Sequence, residues 1–114
     1  MSRYLKYLDD ADALLSGKGD VASPRAAAFL IRMALEACLA DYWSRVAPGV
    51  ERCAMQAQIT CLNGYRDRGT VRLAARSWAA LSRTCHYHGY ELSPTASELR
   101  GLHSEVTALA ARLN

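Results

Sequence analysis

The chemistry in this chain is densest at Arg83-Thr84-Cys85-His86-Tyr87-His88. A histidine with an ordinary pKa near 6.5 exchanges protons at neutral pH, and a neighbouring guanidinium holds a phosphate or stabilises a pentacoordinate phosphorane. Together they supply what metal-free RNA cleavage needs. A base takes the ribose 2′-proton, the 2′-oxygen attacks the adjacent phosphorus, and a cyclic phosphate results, with no nucleophile from the protein. Arginine and histidine five residues apart also occur by chance, so the surroundings decide the weight of this pair.

Those surroundings are basic. Residues 63–90 hold five arginines, Arg66, Arg68, Arg72, Arg76 and Arg83, against the single acid Asp67. The segment is therefore +4, and the rest of the chain is −1 within a total of +3. At ~100° per residue, Arg72, Arg76 and Arg83 fall within ~40° of one another, opposite an apolar stripe of Val71, Ala74, Trp78, Leu81 and Cys85. A stripe of one sign suits a polyanion, while a solvated helix face is the plain alternative. Tyr87 and Tyr90 flank His88 and fit either stacking on unpaired bases or packing in an interface. The 12 Arg against two Lys also fit a GC-rich genome, which accounts for residue type but not for position.

The elements that must carry these residues are helices. The 114 residues are one domain's length, 51% hydrophobic, with 20 Ala and 15 Leu against seven Gly and three Pro. Five helices are expected. The first covers 2–16 with Leu5, Leu8, Ala11 and Leu15 as its stripe. A long second helix over 24–46 is capped by Ser23-Pro24 and apolar on most of its circumference. The third covers 50–62 and stops at Asn63-Gly64, and the fourth covers 70 to 85 or 86. The fifth has overlapping start signals at Ser93-Pro94 and Thr95-x-x-Glu98, and its Leu99, Leu102, Val106, Leu109 and Leu113 hold a 3-4 spacing. The fold class is all-α: a single domain over 1–114, a compact up-and-down bundle with the second helix at its centre.

The remaining candidates are weaker. Cys38, Cys53, Cys61 and Cys85 form no C-x-x-C pair and read as thiols; a zinc site from Cys53, Cys61, Cys85 and a histidine lacks the usual close ligand spacing. Glu36 either pairs with Arg32 four residues before it or orients Arg83 or a histidine from a neighbouring helix. Trp43 and Trp78 lie on apolar stripes as core or interface residues, and His103 is expected at the surface. No apolar signal region follows Met1-Ser2-Arg3, and the longest apolar stretch is interrupted by Arg32, Glu36 and Asp41. A cytoplasmic protein without a membrane span follows as the expectation.

Arg83-x4-His88 matches the R-x4-6-H motif of HEPN domains, which are small all-α bundles of about this length. The likeness extends to the run from Arg25 to Leu39, which resembles the long second helix of such domains with its R-x-x-L-E pattern. The stretch from Trp78 to Thr95 is similar to that of an actinobacterial HEPN-like group. The resemblance implies a homodimer with the two motifs facing each other and metal-independent endoribonuclease activity without a cofactor. It also implies a role as a toxin or in phage defence, neutralised by an antitoxin or other partner protein. Carried over, Arg83 engages the scissile phosphate of RNA and His88 is the general acid or base, with His86, Thr84 and Glu36 in support and Arg72, Arg76, Tyr87 and Tyr90 on the RNA. The residue after the motif arginine is often Asn, Asp or His, and Thr84 departs from that. Many HEPN domains are inactive, so a non-catalytic dimerisation or RNA-binding module is the alternative.

Overall fold

A computed structural model describes residues 2–17, 23–85 and 93–114. Among these residues five α-helices make up an all-α bundle: α1 (Arg3–Leu15), α2 (Pro24–Val46), α3 (Met55–Cys61), α4 (Arg68–Cys85) and α5 (Ala96–Leu113). Short 3-10 turns at Val50–Arg52 and Leu62–Gly64 flank α3. None of these helices is long and apolar enough to cross a membrane.

α2 lies at the centre, against α1, α4 and α5. Its start is local chemistry: Pro24 opens the helix, and the Ser23 hydroxyl accepts from the Ala26 N–H at 3.2 Å. Ala27, Ala28, Ile31, Ala34, Leu35, Leu39 and Trp43 are sealed from solvent on one half of its circumference. Three alanines there let neighbouring helices approach closely. The other half is apolar too, yet Phe29 on it remains 55% exposed. The Cys38 thiol, deep in the buried half, has its pKa pushed up to about 12 by burial and secondarily by the charge of Asp41.

α5 starts as expected from its capping box. The Glu98 N–H donates to the Thr95 hydroxyl, and the Thr95 N–H donates to the Glu98 carboxylate. At its other end, guanidinium groups cover carbonyls that have no helical partner. Arg45 donates to the carbonyl of Leu113 at 2.9 Å and Arg66 to that of Arg112 at 2.6 Å. Two of the 12 arginines, Arg66 of the basic segment and Arg45 outside it, are therefore structural caps.

Three expectations need correction. The segment 50–62 is not one helix. Cys53 and Ala54 are extended, with ψ of 160° and 150°, and the Gln58 amide donates to the carbonyls of Glu51 and Cys53 in place of helical N–H groups. On α1, Tyr4 replaces Leu5 in the buried stripe with Leu8, Ala11 and Leu15, and Leu5 is 42% exposed. Tyr4 is recruited by a long-range contact, its hydroxyl pairing with the Asn114 side chain. Nor is His103 simply at the surface: it is half-buried, and its Nε2 hydrogen-bonds the carbonyl of Leu8 at 2.9 Å, tying α5 to α1.

Candidate functional site

The site begins with how α4 is fixed. Asp67, just before the helix, accepts from the Thr70 N–H at 3.1 Å and from the Thr70 hydroxyl at 2.7 Å. The Thr70 hydroxyl and N–H, with Arg112 adding a little, hold the Asp67 carboxyl below the usual carboxylate range. From that start α4 buries Thr70, Leu73, Ala74, Ser77, Leu81 and Cys85 against the bundle. Arg72, Arg76 and Arg83 consequently share the solvent face, as the helical spacing requires.

That face is not of one sign. Glu105 reaches it from α5, where Arg76 Nε donates to its carboxylate at 3.1 Å and the Ser77 hydroxyl donates at 3.3 Å. The acid was invisible in the charge count of residues 63–90 because it belongs to another helix. Arg76 is thus ion-paired on this face. Arg72 and Arg83 have no hydrogen bond or ion pair among the described residues. Arg83 stands in the last turn of α4, where a cation also complements the helix dipole.

The supporting residues go elsewhere. The Thr84 hydroxyl donates back to the carbonyl of Ala80 at 2.7 Å, so it is occupied within its own helix. Glu36 accepts from Arg32 Nε at 3.3 Å, the intrahelical pairing, rather than from Arg83. Arg32 in turn places its guanidinium 4.7 Å above the Trp78 ring. Glu36 therefore reaches α4 through Arg32. Trp78 is half-buried under that cation and Trp43 is fully buried, edge-on to Tyr42 and Tyr65.

Beside this stack lies the Cys85 thiol, which burial pushes up while the charge and hydrogen bond of Arg32 and the charge of Arg25 pull it down. A concavity of about 250 Å³ is lined by Arg25, Phe29, Arg32 and Cys85. Composition and motif spacing had singled out none of Arg25, Phe29 or Glu105. The 25, 29, 32 spacing on one helix face was the available signal. A larger groove of about 440 Å³ opens between α1, α2 and the turn before α3, with Glu36 and Glu51 on its walls and Arg3 and Tyr7 beside them.

His86, Tyr87, His88 and Tyr90 lie outside the described residues. Cys53 and Cys61 are exposed while Cys85 is buried, and among the described residues no three His, Cys, Asp or Glu side chains gather to hold a metal ion. No family model matches the chain, and neither a characterised protein nor a solved structure matches it.

Proposed function

We propose that this chain is a metal-independent endoribonuclease of HEPN type that acts as a homodimer. The observation that supports the reading is the placement of Arg83: solvent-facing, on the last turn of α4, aligned with Arg72 and Arg76 and directly ahead of His86 and His88. Arg83 would bind the scissile phosphate and stabilise the charge that builds on it. His88 would exchange the proton, as base toward the ribose 2′-hydroxyl or as acid toward the departing 5′-oxygen. His86 is the competing histidine. The proposed physiological setting is a cytoplasmic toxin or phage-defence effector held in check by an antitoxin or similar protein.

A second reading is favoured by one specific observation. The Thr84 hydroxyl donates to Ala80 and the Glu36 carboxylate accepts from Arg32, each within its own helix, and neither hydrogen-bonds Arg83. That arrangement suits a non-catalytic RNA-binding or dimerisation module of the same type. Induction in growing cells separates the two. The nuclease reading expects wild-type protein to arrest growth and fragment cellular RNA, and Arg83→Ala to do neither at equal protein level. Intact RNA after wild-type induction, with the protein soluble and folded, would favour the module.

A further inference from the structure

The groove of about 440 Å³ between α1, α2 and the turn before α3 takes no part in the RNA chemistry, and its size is that of a small-molecule site. Tyr7, Met33, Ala37 and Met55 give it apolar walls, and two acceptors, Glu51 and Gln58, stand among them. One turn fixes both acceptors. The Gly49 N–H donates to both oxygens of the Glu51 carboxylate, at 3.0 Å each. The Gln58 amide donates to the carbonyl of Glu51 at 3.3 Å and to that of Cys53 at 2.9 Å. Both amide hydrogens are then used, and turning the amide over would set its oxygen against two carbonyls. Gln58 Oε1 is therefore held in one orientation, in a residue only 5% exposed, and it has no hydrogen-bond partner. A buried acceptor left unmet is costly, so it marks a place where a donor is wanted. The charge is unmet as well. One N–H does not neutralise a carboxylate, and Glu51 makes no ion pair among the described residues. Glu36 on the same wall already has its cation, Arg32, while Arg3 of α1 lines the groove without pairing to Glu51.

From this juxtaposition we infer that the groove binds a small free organic cation, an alkylguanidinium, with its head at Glu51 and Gln58 and its stem along Tyr7 and Met33. The inference is independent of the endoribonuclease reading. A guanidinium carries five N–H donors in a planar fork and no acceptor, so one head serves the carboxylate and the amide oxygen together. An anionic ligand would meet a like charge there, and a neutral one would bury the Glu51 charge without compensation. The methylenes of the stem bury against the apolar walls, where Met33 and Met55 adapt to its shape. Because the turn already holds both acceptors, little ordering remains to oppose binding. The groove has room for the whole of such a molecule, so no protein surface has to accompany the cation.

Isothermal titration of the full chain with n-butylguanidine tests this, at roughly 0.15 M salt so that distant surface charge is screened. A saturable one-to-one isotherm with a Kd of about 1 mM or tighter is expected. n-Butylurea has nearly the same shape but no charge, and it should bind at least about tenfold more weakly. Glu51→Gln keeps an acceptor for the Gly49 N–H and removes the charge, so it should also weaken butylguanidine by about tenfold. Glu105→Gln, the same change on α5, should stay within about twofold. No saturation by about 10 mM overturns the site. So do equal affinities for butylguanidine and butylurea, which would leave an apolar groove only. Equal losses in the two glutamate variants overturn it too, since they would report a general effect of net charge. A Gly-Arg-Gly peptide blocked at both ends that binds more tightly than butylguanidine overturns the free molecule in favour of a partner protein's arginine. The comparison of butylguanidine with butylurea needs only the wild type, so it decides even if Glu51→Gln does not fold.

Discussion

Arg72 and Arg76 are one helical turn apart and carry the same charge, but only Arg76 has an acid beside it. Glu105 shares its carboxylate between Arg76 and Ser77 across the α4–α5 contact. If α4 faces RNA, the two substitutions must differ. Arg72→Ala should lower the slope of log affinity against log salt on a single strand by about 0.7, the value of one lost phosphate contact, and Arg76→Ala should lower it by less. Fluorescence anisotropy over a salt series reads both, and equal slopes for the two variants would place Glu105 outside the binding face. At this scale the shared arc of Arg72, Arg76 and Arg83 was legible from spacing, because the period of a helix is fixed. Glu105 beside Arg76, Arg32 above Trp78 and His103 on Leu8 were not, because each depends on which helices pack together.

Helix α4 presents the candidate site only as well as its first turn holds, and Asp67 is the residue that holds it. Asp67→Ala should lower the thermal midpoint at pH 7, and Asp67→Asn, which retains an acceptor for the Thr70 N–H, should recover most of the loss. The pH dependence follows from the direction of the shift. The folded state favours the ionised carboxylate, whose ordinary value is 3.8, so this contribution is present above that value and is lost as pH falls through the depressed one. The gap between wild type and Asp67→Ala in thermal melts should therefore narrow in strong acid; a gap that stays constant to the lowest pH would remove Asp67 as the cap. Helix starts of this kind were readable in advance where the chemistry is local, as at Ser23-Pro24 and Thr95-x-x-Glu98. The break before α3 was not, since it depends on the Gln58 side chain reaching back to the carbonyls of Glu51 and Cys53. Tyr4 replaced Leu5 for a similar reason: its partner, Asn114, is 110 residues away.

For the whole molecule, the all-α bundle was the most legible feature, because Ala and Leu content, stop signals and 3-4 spacing agree with one another. The basic surplus proved to be divided by role. Arg45 and Arg66 close the end of α5, Arg32 joins α2 to α4, Arg76 meets Glu105, and Arg72 and Arg83 face solvent. That division leaves Arg72 near the start of α4 and Arg83 in its last turn, on one solvent-facing arc, for a polyanion, and it is on that arc that the endoribonuclease reading stands or falls. The most direct measurement is incubation of the purified chain with varied RNAs in EDTA, with product ends and sedimentation followed together. The account predicts cleavage that leaves 2′,3′-cyclic phosphate ends, abolished by His88→Ala while the dimer persists. RNAs left uncut by the wild type, with and without divalent metal, would contradict it.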